Sequence, residues 1–212
     1  MSRLESNWQY AEQYPTETEA QVRARRLSLE LGIEPVSRAT AAALSSLVAV
    51  SGAQAILELG TGVGVSGLAL LRHAANAHLT SIERDPEFLR QARTVFAEAG
   101  VAPARLRLIE GDAGQVLSRL NLSAYDLVVI DEDPLRLLED IEAALQIVRP
   151  GGTIAVVGAF ARGRVPDPAA RDDATQNMRD LLAMVADSPA IAAALSPAGD
   201  GLLTMTRIDA RS

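Results

Sequence analysis

The chain of 212 residues contains no cysteine, and this absence excludes disulfide bridges, thiolate metal sites and a cysteine nucleophile. It contains no lysine either, so all 20 of its basic side chains are arginines. Aromatic residues make up only 3% of the chain, which predicts a core of alanine, leucine, valine and isoleucine. No apolar run is long enough to span a membrane, and the first residues lack the apolar stretch of a secretory signal. Together these absences predict a cytoplasmic protein with no membrane partner.

The charge balance is acidic, with a formal net charge of -7. Proteins that bind nucleic acids usually present a basic patch. Arg23, Arg25 and Arg26 cluster in sequence, but they lie among acidic residues on a predicted helix. We interpret this cluster as a solvated helix face, so nucleic acid is not an expected partner.

Strand-length and helix-length segments alternate along the chain, and we predict one domain over residues 1–212. Residues 1–34 form a charged helical segment ending near Gly32, and a second helix extends from Pro35 to Gly52. Strands are predicted at residues 55–59, 79–82, 105–109, 127–130 and 153–157, and helices at 67–74, 87–99, 113–120, 135–148 and 173–186. Pro150-Gly151-Gly152 is a predicted turn, and residues 191–195 and 202–208 form a final antiparallel hairpin. The pattern predicts an α/β, Rossmann-like sheet of seven mostly parallel strands with helices on both faces.

The loop that joins the first strand to the next helix, within AILELGTGVGVSGLALL, is the most informative segment. Its glycines, which allow sharp turns and close approach of a ligand, are Gly60, Gly62, Gly64 and Gly67. The helix that follows offers free N–H groups at its start. The last three of these glycines match a dinucleotide fingerprint, with Glu83 at the end of the next strand to hold a ribose hydroxyl. Glu58, however, would repel a pyrophosphate and attract an ammonium or sulfonium group. The sign of this charge favours S-adenosylmethionine over NAD.

Several motifs in order resemble the class I methyltransferases, and most closely the catechol and caffeoyl-CoA type O-methyltransferases (O-methyltransferase family 3). The motifs are Glu58–Ser66 (ELGTGVGVS), Ile82-Glu83, Gly111-Asp112-Ala113 and Tyr125–Asp131 (YDLVVID). The resemblance covers about residues 35 to 208, including Pro150-Gly151-Gly152 and the late Gly199-Asp200-Gly201-Leu202. It implies transfer of a methyl group from S-adenosylmethionine to the hydroxyl of a small molecule. Since similar proteins are usually homodimers, it also implies a homodimer.

The resemblance assigns cofactor contacts to residues of these motifs. Glu58, Gly60 and Ser66 would line the methionine part, and Glu83 would accept hydrogen bonds from the ribose hydroxyls. Asp112 and Ala113 would flank the adenine. The full set of expected cofactor-binding residues is Glu58, Gly60, Gly64, Ser66, Glu83, Asp112, Ala113 and Asp131. A simpler alternative is that Glu83 and Asp112 are acids that end a strand or cap a helix.

The metal site of that family is where this sequence departs from the pattern. The family holds a divalent cation with two aspartates and an asparagine, and a lysine lies near the acceptor. Here Asp131 occupies the first ligand position, but Pro134 replaces the lysine and Gly158-Ala159 replaces the aspartate–asparagine pair. Glu132 or Asp133 could substitute, and Asp167, Asp172 and Asp173 lie in the following segment, although nothing in the spacing requires any of them. We therefore expect no divalent metal, and Asp131 is the catalytic candidate.

The remaining candidates lie outside these motifs. His73 and His78 are expected at the surface, on the side away from the ligand-binding ends of the strands. Trp8, Tyr10 and Tyr14 could cover an acceptor pocket as a lid, or pack in the core or in a dimer. Two other functions stay open. One is a non-catalytic module that binds S-adenosylmethionine as a sensor or partner subunit; the other is an NAD-dependent oxidoreductase, which the absence of lysine disfavours.

Overall fold

The computed structural model describes residues 2–208 and contains one seven-stranded sheet. The strands in chain order are β1 Ala55–Leu59, β2 His78–Glu83, β3 Leu106–Glu110, β4 Tyr125–Ile130, β5 Val148–Val157, β6 Ile191–Ser196 and β7 Leu202–Arg207. They lie side by side in the order β3-β2-β1-β4-β5-β7-β6. The first five are parallel, whereas β7 runs antiparallel to both β5 and β6. The predicted fold class and the terminal hairpin are confirmed.

Helices cover both faces of this sheet. They are α1 Arg3–Gln13, α2 Glu19–Glu30, α3 Arg38–Ser51, α4 Val65–Leu71, α5 Pro86–Glu98, α6 Ala113–Leu117, α7 Leu137–Ile147 and α8 Asp173–Ala186. Adjacent strand residues point to opposite faces, so Ile56 joins a core with α3 and α4 while Leu57 joins a second core with α7 and α8. Among residues 2–208, no helix combines the length and the apolar character that a bilayer span requires.

Most predicted boundaries shift by a few residues, and three of the differences have a clear physical reason. The N-terminal segment is two helices rather than one, because the chain leaves helical geometry around Pro15 and Thr18 caps a new helix. Helix α4 begins at Val65 rather than at residue 67, since Gly64 adopts φ +93° and serves as its N-cap. The Pro150-Gly151-Gly152 turn lies within β5, where the register between β4 and β5 shifts.

The carboxyl ends of the parallel strands meet at one edge of the sheet. Beyond the strand ends the pairing continues: the Asp131 N–H donates to the Leu59 carbonyl at 2.9 Å, and the Gly60 N–H donates to the Ile82 carbonyl at 3.0 Å. The loops after β1, β2 and β4 are therefore held next to one another. From β1 the strands β2 and β3 are added on one side and β4 and β5 on the other, so the strand order reverses beside β1, and ligands bind at such a point on these sheets.

Candidate functional site

A cavity of about 570 Å³ opens at this edge, next to β1. Its walls are the loops after β1, β2, β3 and β4, together with the connection between α2 and α3. A second cavity of about 410 Å³ adjoins it and is lined by β5, α8 and the segment after β5. Asp131, Glu132 and Arg162 line both cavities, so these three residues mark the place where the two spaces meet.

The glycines of the loop after β1 have different physical roles. Gly60 has φ +88°, and a Cβ there would overlap the carbonyl oxygen of Asp131 and lie 2.9 Å from its carbonyl carbon. Gly64 and Gly67 face the ring of Phe96, where an added Cβ would come within 3.2 and 2.6 Å of the ring. Gly60 lines the cavity, but Gly64 does not. Most of these glycines thus permit close packing of protein on protein rather than approach of a ligand.

Glu83 ends β2 with its carboxylate at the cavity wall and only 7% of its surface exposed. The Gly62 N–H donates to its Oε2 at 2.9 Å, and the Asp85 N–H donates to its Oε1 at 3.0 Å. Both oxygens are held by backbone amides, and each keeps a further lone pair. The side chain is therefore a fixed acceptor at the position that the sequence assigned to a ribose.

Glu58 lies beneath the glycine loop and is not part of the cavity wall. It is fully buried; Ser81 Oγ donates to its Oε2 at 2.6 Å, whereas Oε1 has no partner within residues 2–208. Burial raises the pKa of Glu58 to about 7. Ser66, the other residue expected at the methionine part, does line the cavity.

Asp112 is both a helix cap and a residue of the cavity wall. It caps α6 by accepting from the Gln115 N–H at 3.2 Å, and it also lines the cavity beside Ala113. Its Oδ2 accepts from Arg136 Nη1 at 2.9 Å. Arg136 was not anticipated, because it lies 24 residues further along the chain in a short helical turn, Pro134–Arg136.

Asp131 and Glu132 are the acidic residues at the junction of the two cavities. Asp131 faces the open cleft, yet protein atoms surround its carboxyl group, and this burial together with the charge of Glu34 raises its pKa to about 6. Burial, followed by the charges of Asp140 and Glu83, raises the pKa of Glu132 to about 7. A carboxylate with such a pKa can accept a proton near neutral pH.

Arg162 is the third residue at the junction. Its guanidinium donates to Glu34 at 2.8 Å, and its backbone N–H donates to Asp200 Oδ2 at 2.5 Å. Ala161 and Arg162 both have left-handed backbone, with φ +49° and +56°. Such conformations cost energy in non-glycine residues and cluster at functional sites. Ala161, Arg162 and Arg164 line the second cavity, whose other walls are mainly apolar.

The residues present do not fit the divalent metal of the family that the sequence motifs resemble. Gly158 and Ala159, where the aspartate–asparagine pair would be, offer no side-chain oxygen. Within residues 2–208, no three His, Cys, Asp or Glu side chains are grouped so that they could hold a metal ion. Glu132 and Asp133 do not complete a site around Asp131; Asp133 instead accepts from the Leu135 N–H at 3.0 Å.

The histidines and the N-terminal aromatic residues lie away from both cavities. His78 begins β2 at the opposite edge of the sheet, and His73 is exposed after α4. Trp8 and Tyr10 lie on α1 and Tyr14 caps its C-terminal end; the three are 45%, 71% and 74% exposed and line neither cavity. In this arrangement they do not form a lid over the cleft.

Comparison with known proteins places this chain in a family. The family model described as O-methyltransferase matches residues 11–208. A curated Mycobacterium avium protein named as an O-methyltransferase is 42% identical over 207 residues, covering 97% of this chain and 93% of the relative. A crystal structure of a Corynebacterium glutamicum protein has a TM-score of 0.90 at 29% identity, with 99% of each chain covered. The O-methyltransferase TomG of Streptomyces achromogenes, solved with S-adenosylmethionine, has a TM-score of 0.86 at 27% identity and covers 98% of this chain and 100% of its own. The chain belongs to the O-methyltransferase family.

Proposed function

We propose that the protein transfers a methyl group from S-adenosylmethionine to a hydroxyl of a small molecule and releases S-adenosylhomocysteine. The observation that carries this proposal is the placement of Glu83. Its carboxylate is fixed by two backbone amides at the wall of a cavity beside β1, in a chain of the O-methyltransferase family. The two remaining acceptor positions suit the paired hydroxyls of a ribose.

A ribose held by Glu83 fixes where the other parts of S-adenosylmethionine would lie. The adenine would lie against Ala113, with Asp112 accepting from its exocyclic amine in place of Arg136. The methionine part would follow the loop from Gly60 to Ser66, which lines the same cavity. Glu58 would act from below this loop by its charge rather than by direct contact, and Gly64 by shaping the start of α4.

The methyl acceptor would occupy the second cavity, whose apolar walls suit a small organic molecule. In the transfer step the acceptor oxygen forms a bond with the methyl carbon, and the carbon–sulfur bond breaks with its electron pair left on sulfur. Asp131 takes the hydroxyl proton, a role for which its raised pKa is suited. Since the residues do not fit a divalent metal, no step passes through one. The protein otherwise contributes alignment and exclusion of water.

The assembly and the setting of the protein are part of the same proposal. Helix α1 buries none of its residues, and its Leu4 and Trp8 are 55% and 45% exposed, which supports a homodimer interface there. Size-exclusion chromatography with light scattering tests the dimer. Arg23 and Arg25 each pair with a nearby glutamate, which supports the absence of a nucleic-acid partner. The lack of cysteine supports a cytoplasmic setting.

Calorimetric titration of S-adenosylhomocysteine in EDTA, with NAD as the comparison ligand, tests the proposed donor. We expect micromolar binding of S-adenosylhomocysteine and none of NAD. Glu83→Gln should weaken binding by about tenfold or more, because hydrogen bonds to a charged group are lost. Glu110→Gln is the matched control, since Glu110 is the exposed residue paired with Glu83 on β3.

Three outcomes would contradict the proposal or a part of it. Binding of NAD without binding of S-adenosylhomocysteine would assign the cleft to an oxidoreductase. Binding of the donor with no methyl transfer to any member of a panel of phenols and alcohols, in EDTA or with added magnesium, would favour a non-catalytic sensor. Transfer that proceeds only with added magnesium would contradict the metal-free step.

A further inference from the structure

The segment between β5 and α8, residues 158–172, is built of turns rather than of helix or strand. It forms one wall of the second cavity through Ala161, Arg162 and Arg164. The carbonyls of such a segment do not have the regular partners that a helix or a sheet would supply, so other groups must pair with them where they are buried. The shape of the second cavity therefore depends on the groups that hold this segment.

Arg179 of α8 is the side chain that makes the most hydrogen bonds to this segment. Its Nε donates to the Val165 carbonyl at 3.0 Å, and its Nη1 donates to the Ala170 carbonyl at 2.7 Å. Its Nη2 donates to the Arg164 carbonyl at 3.0 Å and to the Asp167 carbonyl at 2.5 Å. All three nitrogens of one guanidinium thus bind backbone carbonyls of the same segment.

Arginine is the side chain suited to such a position. Its planar guanidinium carries five N–H donors in a fixed fork, whereas the ammonium of lysine has three donors on one nitrogen. Arg179 lines neither cavity, but Thr175 and Met178 on the same helix line the second one. Arg179 therefore joins two walls of the second cavity, the helix α8 and the segment that precedes it.

We propose that Arg179 is a positioning residue that sets which acceptors the second cavity admits, by holding the segment between β5 and α8 against that helix. This inference rests on the proposed function, in which the second cavity receives the acceptor. Arg179 acts through the residues of the segment and does not touch the acceptor. The first cavity should keep its shape without it. The one residue that the segment contributes there, Arg162, is held instead by Asp200 and Glu34.

Steady-state kinetics with two acceptors tests this role. One is the member of the panel of phenols and alcohols that the wild-type protein methylates with the highest kcat/KM, and the other is a bulkier member that it methylates poorly. For Arg179→Lys we expect the KM of the preferred acceptor to rise about tenfold, because hydrogen bonds from a charged group are lost. The preference for this acceptor over the bulkier one should fall, and calorimetry should show unchanged binding of S-adenosylhomocysteine.

A second variant tests the same role by chemical rescue. Arg179→Ala removes the guanidinium altogether and should raise the KM of the preferred acceptor further. Millimolar guanidinium chloride should then lower this KM towards the wild-type value, because the added ion can donate to the same carbonyls. If Arg179→Ala does not fold, Arg179→Lys, which keeps the charge and most of the side chain, decides the matter alone.

The control and the contrary outcomes separate acceptor selection from stability. Arg93→Lys is the matched control, since Arg93 is exposed on α5 and lines neither cavity, and it should change neither KM nor the preference. A role in stability alone would lower kcat equally for both acceptors and leave KM unchanged, and this result for Arg179→Lys would overturn the inference. Equal weakening of S-adenosylhomocysteine and of the acceptor would overturn it too. A wild-type protein that methylates no member of the panel would instead overturn the proposed function, and with it this inference.

Discussion

Replacing Gly60 by alanine should destabilise the protein much more than replacing Gly62 by alanine, although both glycines have left-handed backbone, with φ +88° and +49°. The left-handed conformation costs an alanine about 1–2 kcal/mol at either position. At Gly62 a new Cβ has its nearest neighbour, Ile33 Cγ2, at 3.8 Å, so little is added. At Gly60 it would overlap the carbonyl oxygen of Asp131, which cannot retreat without weakening the 2.9 Å bond from the Asp131 N–H to Leu59.

Overpacking of this kind adds about 1–3 kcal/mol, so Gly60→Ala should lower the free energy of unfolding by about 2–5 kcal/mol. Urea denaturation followed by far-ultraviolet circular dichroism measures this, because the single tryptophan, Trp8, lies on α1 and would report that helix instead. Gly52→Ala is a second control, with φ +65° and open space around the new Cβ. If Gly60→Ala proves no less stable than Gly62→Ala, the loops after β1 and β4 do not need a glycine at their contact.

Three further predictions concern stability. Asp126→Ala should lower the free energy of unfolding by about 2–3 kcal/mol, because the carboxylate accepts from two backbone amides at the start of β1 and from Arg149; an unchanged urea midpoint would refute this. Burial raises the pKa of Glu58 from 4.5 to about 7, so the stability linked to its protonation is complete below about pH 4.5 and lost as pH rises through 7. Glu58→Gln should remove this loss, about 3 kcal/mol, and unfolding at pH 5 and pH 8 should then differ less than in the wild type. Glu12→Ala should speed proteolysis within α1 several-fold without shifting the main urea transition. The reason is that Glu12 accepts from the Gly199 N–H at 2.6 Å and so holds α1 against the loop between β6 and β7. An unaltered cleavage rate would contradict that role.

Much of the fold could be predicted because local patterns and tertiary structure agree. The apolar run of β1 and the helical pattern of residues 173–186 predicted both elements with the bounds that the structure has. At Pro150-Gly151-Gly152 the pattern predicted a turn before the strand, whereas the structure accommodates these residues within β5 by a shift of register. It also misplaced the start of α4, since the sequence does not reveal that Gly64 takes up a capping conformation.

The candidate site was predicted only in part. Glu83, Asp112 and Asp131 lie at or just after the ends of strands, and parallel strands bring these ends to one edge, so all three line the cavity. For Glu58 the sequence gives no indication of which way the strand presents it, and the structure buries it below the loop. Arg162 was missed because its partner is 128 residues away in the chain, a separation that no local pattern bridges.

The position of β7 between β5 and β6 has a consequence for synthesis of the protein. The ribosome makes β6 before β7, yet β6 pairs only with β7 and cannot join the sheet without it. Until residue 207 has emerged, β5 presents an open edge whose residues 153–157 lack their later partners. An open edge of this kind can pair with another chain. Slow or faulty synthesis of the last strand should therefore reduce the yield of folded protein in the cell rather than the activity of each folded molecule.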